Sequence, residues 1–212
     1  MVHANSLTNT QILPAADPHS IQRAVAVLRA GGVIAFPTDT VYGVGAHGLL
    51  NDAVEKLYVV KGRPSEKAIP LLLADAFEID SVARDISPVA RDLMQRVWPG
   101  ALTIVLTKHP HLPPAVTSTA TIAVRVPDHA VVRDLIRALG APLAATSANR
   151  SGEPELLDAP SIARVLGASL DLILDGGLCS GGIPSTVVDA SGEKLVLLRV
   201  GAIAAEDVMR DA

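Results

Sequence analysis

The chain has 212 residues, 49% of them hydrophobic, and a formal net charge of −4 at pH 7, enough apolar material to bury one substantial core. A pI near 5.8 argues against a global pull toward nucleic acid, so any RNA contact has to use a local basic patch. Cys179 is the only cysteine and can close no disulfide within the chain; with neither a secretory h-region nor a bilayer-length apolar run, the expectation is a cytoplasmic protein with no membrane partner.

Residues 1–15 are expected to be a flexible N-terminus, Met1 to Thr10 being polar and unpatterned. Asp17-Pro18 then offers an N-cap with proline in the first turn, and Ile21, Val25 and Leu28 share one face before Gly31 stops the helix. Gly31 to Phe36 reads as a strand ended by Pro37. Phe36 to Gly45, FPTDTVYGVG, follows it and places Thr38, Asp39 and Thr40 just past a strand end, where open α/β sheets tend to bind ligands. Asn51 or Asp52 can cap a helix that stops at Lys61-Gly62-Arg63-Pro64, and Ala68 to Leu73 reads as a buried strand.

Ser87-Pro88 repeats the cap-plus-proline start of a helix that ends at Trp98-Pro99-Gly100, and a strand follows over Leu102 to Leu106. The alternating run Thr121 to Val126 predicts another strand, and Asp128 is the expected cap of a helix ending at Gly140. Leu143 to Ala145, Leu170 to Leu174, Thr186 to Val188 and Leu195 to Val200 complete the strands. This order favours an α/β (α+β) fold with a mixed sheet over a purely parallel one.

Hydroxyls gather at three strand ends: Thr38-Asp39-Thr40, Thr146-Ser147-Ala148-Asn149 and Pro184-Ser185-Thr186. Such groups donate and accept, which suits a zwitterionic or phosphorylated ligand, although each segment alone also reads as a turn. Lys61, Arg63, Lys67, Arg125 and Arg199 could clamp phosphate or carboxylate. Asp39 could help hold a magnesium ion borne by phosphates, with an Asx-turn the simpler reading. Tyr42, beside glycines, is a candidate wall of the site, and Trp98 a core plug. No Walker loop, dinucleotide fingerprint or zinc spacing is present, His109-Pro110-His111 reads as a solvated loop, and a catalytic role for Cys179 is disfavoured.

In order, PTDTVYG (37–43), KGRP (61–64), WPGALT (98–103), AVRVP (123–127), SAN (147–149), STVVD (185–189) and RVG (199–201) resemble the YrdC-domain family, chiefly its short bacterial threonylcarbamoyl-AMP synthases. The resemblance implies a twisted mixed sheet flanked by helices with a large concave groove (YrdC/RibB-like), as a single domain over residues 16–205 without the further C-terminal domain of longer relatives. It implies that L-threonine, bicarbonate and ATP, with Mg2+, give threonylcarbamoyl-AMP and pyrophosphate. A downstream transferase complex then uses the product to modify tRNA. Thr40, Arg125, Ser147 and Ser185 match threonine-binding positions; Arg63, Lys67, Thr121, Asn149 and Arg199 match positions around ATP. Lys61, Arg63 and Arg199 would stabilise charge, with no enzyme nucleophile and no assigned metal ligands. The alternative is a non-catalytic regulator that binds double-stranded RNA or tRNA.

Overall fold

A computed structural model of the protein describes residues 10–179 and 181–210. Its strands are β1 (Gln11–Pro14), β2 (Ile34–Phe36), β3 (Gly43–His47), β4 (Leu71–Leu72), β5 (Ala83–Arg84), β6 (Leu102–Lys108), β7 (Thr121–Arg125), β8 (Leu143–Ser147), β9 (Leu172–Asp175), β10 (Thr186–Asp189) and β11 (Val196–Arg199). They form one mixed sheet in the order β1-β9-β2-β3-β8-β4-β7-β6-β10-β11, with β5 paired to β6. Parallel and antiparallel pairs alternate irregularly, as in β9 with β2 and β2 with β3.

Helix starts follow their caps. In α1 (Pro18–Arg29) the Asp17 carboxylate accepts from the His19 amide, and in α3 (Pro88–Val97) Ser87 Oγ accepts from the Ala90 amide. Two expected caps are not used. Leu50 precedes α2 (Asn51–Lys61) with no side-chain bond, because Asn51 instead donates to Glu55 and accepts from the Ala115 amide, tying the helix to a distant loop. His129, not Asp128, stands at the cap position of α4 (Ala130–Leu139). Gly62 and Gly140 end α2 and α4 with φ of +59° and +74°, a conformation glycine adopts without a Cβ penalty.

Several elements depart from the sequence reading. Gln11–Pro14, assigned above to a flexible terminus, pair in parallel with β9; their side chains are largely exposed, so backbone pairing leaves no apolar pattern to read. Residues 1–9 of that segment lie outside the described residues. The expected strand over 68–73 shortens to Leu71–Leu72, flanked by single backbone bonds from the Ala145 amide to the Pro70 carbonyl and from the Leu73 amide to the Arg125 carbonyl. An unanticipated helix, α5 (Ala159–Leu166), starts where Asp158 accepts from the Ser161 amide, and a short α6 (Ala205–Met209) closes the described chain.

Strand alternation separates two apolar layers. Ala35, Val44, Leu71, Ile104, Val124, Ala144, Ile173 and Val188 join one cluster with residues of α2, α3 and α5, and Trp98 plugs it. The opposite face contributes Ile34, Phe36, Leu72, Leu143, Ala145, Leu172 and Leu174 to a second cluster, covered by α1 and α4. That cover stops part-way across the sheet. Beyond it, the same face of β6, β7 and β10 presents Thr103, Ala123, Arg125 and Val187 to an open cleft.

Gly201 brings β11 against the loop that carries Ser185. A Cβ there would collide with the backbone of Pro184 and Ser185. Gly201→Ala is therefore expected to lower stability by about 1–3 kcal/mol, as other overpacking substitutions do, read from the urea midpoint; an unchanged midpoint would show that this approach is not tight.

Candidate active site

The cleft has a volume of about 260 Å³, and its walls include Thr40, Arg63, Arg125, Ser147, Ser185 and Arg199. These come from separate elements: the turn between β2 and β3, the loop after α2, and the ends of β7, β8, β10 and β11. Thus six of the ten residues singled out from sequence meet in one cavity.

Arg125 is 7% exposed at the end of β7 and is held on three sides. Its Nη2 donates to both oxygens of Asp39 at 2.6 and 2.7 Å, its Nη1 to Thr40 Oγ1 at 3.0 Å and its Nε to the Gly100 carbonyl at 3.0 Å. Burial pushes the guanidinium down from its ordinary range, and the Asp39 charge opposes that shift. A group so fixed presents its remaining hydrogen in one direction, which is what a preorganised anion contact needs.

Lys61, at the end of α2, is 3% exposed. Its Nζ donates to the Ser147 carbonyl and, at 2.6 Å, to Asn149 Oδ1, while Asn149 Nδ2 donates to the Glu153 carbonyl. Lys61 therefore braces the loop after β8 from behind. Burial pushes its ammonium down to about 8, with Arg63 adding to the shift and Glu155 opposing it. Arg63 is anchored by Nε to the Lys67 carbonyl at 3.1 Å and by Nη2 to the Ala68 carbonyl at 2.8 Å, leaving the rest of its fork free to meet an anion.

On the far wall, Ser185 Oγ lies 2.7 Å from Thr103 Oγ1. Arg199 donates to the Ser185 carbonyl through Nη2 at 2.8 Å and Nε at 3.2 Å. Thr103 and Glu155 line the cleft without having been singled out. Thr103 had a readable signal, a hydroxyl at an alternate position of an otherwise apolar strand, whereas Glu155 sits in a loop with no pattern to expose it.

Four of the ten residues stand outside the cavity walls. Asn149 and Lys61 support Ser147, and Lys67 supplies a carbonyl to Arg63. Thr121 is two residues beyond Ala123 on the cleft-facing side of β7. Asp39 directs both its oxygens to Arg125 rather than to the backbone amides of an Asx-turn. Among the described residues no group of three or more His, Cys, Asp or Glu side chains is placed to hold a metal ion. Tyr42 is not a wall of the cleft: it is fully buried, donating to the Gly177 carbonyl and accepting from the Gly176 amide. Cys179 is buried, with Sγ bonded to the Thr38 carbonyl, and desolvation pushes its thiol up. His109, expected to be solvated, has a buried Nδ1 and packs on His111 with ring centroids 4.2 Å apart.

A model of the Sua5/YciO/YrdC family, described as "Telomere recombination", matches residues 26–201. The chain belongs to this family. It is 42% identical over 201 residues to a threonylcarbamoyl-AMP synthase of Bacillus subtilis, covering 94% of this chain and 58% of that protein. It is 36% identical over 180 residues to one of Coxiella burnetii, covering 84% of this chain and 97% of that protein. The crystal structure of Pyrococcus abyssi Sua5 complexed with L-threonine superposes with a TM-score of 0.88 at 35% identity, over 95% of this chain and 60% of that one. The chain thus spans somewhat over half the length of the Bacillus and Pyrococcus relatives. In this chain the open half of the sheet face is the scaffold of the cleft.

Two predictions follow from the buried charges. Asp39→Ala leaves Arg125 buried without its counter-charge and is expected to cost about 3 kcal/mol or more in urea unfolding; a loss below about 1 kcal/mol would show the pair to be solvated. For Lys61, the lowered folded-state value means that between about pH 8 and 10.5 the unfolded chain binds more protons, so stability rises with pH. The stability of wild type relative to Lys61→Met should therefore rise by on the order of 3 kcal/mol across that window. A constant difference would contradict the depressed ammonium.

Proposed function

We propose that the protein is an L-threonylcarbamoyladenylate synthase, a nucleotidyltransferase that converts L-threonine, bicarbonate and ATP to threonylcarbamoyl-AMP, pyrophosphate and water. The observation that carries this reading is the convergence of Thr40, Arg125, Ser147 and Ser185 with Arg63 and Arg199 in one cleft. A relative of the same fold is described as complexed with L-threonine. At about 260 Å³ the cavity lies near the low end of ligand pockets, roughly 300 Å³. It suits an amino acid, so the nucleotide extends along the open face of β7 toward Thr121.

In this reading Thr40, Arg125, Ser147 and Ser185 hold threonine. Arg63, Lys67, Thr121, Asn149 and Arg199 surround ATP, with Asn149 acting through the loop it shapes. Bicarbonate takes up a proton and loses water to give carbon dioxide; the threonine amine adds its lone pair to that carbon, releases a proton and becomes a carbamate. A carbamate oxygen then attacks the α-phosphorus, and the bond to the bridging oxygen of pyrophosphate breaks. Arg63 and Arg199, backed by Lys61, stabilise charge on the phosphates as it moves to the leaving group. Proximity supplies the rest: two substrates fixed against one another make a bimolecular step effectively unimolecular.

Magnesium enters as the ion carried by the ATP phosphates, where it would neutralise part of their charge. The product is consumed by a downstream transferase complex that modifies tRNA, and the setting is the cytoplasm. Among the described residues no helix is long and apolar enough to cross a membrane.

The test is pyrophosphate release from ATP with threonine and bicarbonate each omitted in turn. Wild type should require both. Arg63→Ala and Ser185→Ala should each lower kcat/KM by about 100-fold, the effect of removing one preorganised donor. Release that is equal with serine or without an amino acid would overturn the threonine assignment. Salt-sensitive binding of duplex RNA with no ATP turnover would favour a regulator instead.

A further inference from the structure

The proton positions of two hydroxyls in the cleft are fixed by neighbouring groups of the protein. Thr38 Oγ1 donates its one hydrogen to the Val41 carbonyl at 2.6 Å. It lies 3.0 Å from Thr40 Oγ1 and accepts from the Thr40 amide at 3.1 Å. With its own hydrogen committed, Thr38 can only accept from Thr40, so the Thr40 hydrogen is taken up by Thr38. Thr40 Oγ1 accepts from Arg125 Nη1 and retains one lone pair.

Ser147 is fixed in the same sense. Its Oγ donates to Asn149 Oδ1 at 2.8 Å, and that oxygen also receives the Lys61 ammonium. Because Lys61 can only donate, the Asn149 amide must present oxygen here, and its Nδ2 is directed to the Glu153 carbonyl. The Ser147 hydrogen is therefore committed, and its lone pairs remain for a ligand. Both hydroxyls line the cleft, and both offer lone pairs rather than hydrogens.

A carboxylate finds no hydrogen at such a pair, whereas an amine finds two acceptors. We propose that Thr40 and Ser147 are the seat of the substrate's amino group, and that Thr38 is the positioning residue that makes Thr40 an acceptor; this rests on the threonine reading above. The arrangement has a consequence for reaction. A neutral amine that donates one N–H to Thr40 and one to Ser147 keeps its lone pair unoccupied, free to add to the carbon of carbon dioxide. The carboxylate is left to the remaining Nη1 hydrogen of Arg125, whose Nε, Nη2 and other Nη1 hydrogens are engaged by Gly100, Asp39 and Thr40.

The test compares calorimetric binding of L-threonine and of 3-hydroxybutanoate, which keeps the carboxylate and hydroxyl but has hydrogen in place of the amine. Thr38→Val is expected to weaken threonine binding about tenfold or more while changing 3-hydroxybutanoate binding less than about threefold, and Thr38→Ser should restore wild-type discrimination. Equal weakening of both ligands would make Thr38 merely structural and overturn the proposal, as would unchanged threonine affinity. Thr40→Val, which removes the acceptor itself, gives the same comparison should Thr38→Val fail to fold. If wild type binds no threonine, the functional reading falls; if it binds threonine but shows no turnover, the amino seat is still decided by the two ligands.

Discussion

The structure depends on the two-residue period of its strands meeting a sheet whose second face is only half covered. One side of every central strand is apolar and packs against α2, α3, α5 and Trp98. The other side is apolar only where α1 and α4 lie over it. Where that cover ends, alternate positions change character to Thr103, Ala123, Arg125 and Ser147, and the same backbone geometry that builds the core builds a polar floor. The cleft needs no separate domain, because it is the uncovered part of a face that elsewhere is core.

Each cation in or behind the cleft walls is held by oxygen partners of the protein. Arg125 faces a carboxylate, Arg63 two carbonyls, Arg199 a carbonyl and a hydroxyl, and Lys61 a carbonyl and an amide oxygen. A buried charge without such partners would be costly. With them, the guanidinium groups of the walls stand in fixed orientations before a ligand arrives. That favours chemistry by positioning and charge, in keeping with a buried Cys179 bonded to a backbone carbonyl and set apart from the cleft.

Much of this was legible in the sequence, and the misses share a cause. The helices beginning at Asp17-Pro18 and Ser87-Pro88 carried their own caps, and the glycine stops at Gly62 and Gly140 marked the ends of α2 and α4. Residues of the hydroxyl and arginine motifs that meet in the cleft could be named because strand ends and sharp punctuation placed them. What escaped depends on tertiary partners. Asn51 reads as a cap until Ala115 claims its oxygen, and Asp39 reads as a turn until Arg125, far along the chain, meets it. Lys61 reads as a cation that clamps a ligand, yet its ammonium is turned to the loop at Ser147 and Asn149. The β3 segment was hidden by its glycines, which lie under the ring of Phe36 and leave no room for the side chains by which strands are usually read. Tyr42 likewise turns inward because two backbone groups of the Gly176–Gly177 turn are waiting for its hydroxyl.

The most direct measurement of the central claim is the mass of the product. Incubation with ATP, L-threonine and ¹³C-bicarbonate should yield threonylcarbamoyl-adenylate carrying one ¹³C, with threonine and AMP joined through the labelled carbon. An adenylate lacking that carbon, or a labelled carbamoyl adenylate lacking threonine, would contradict the account.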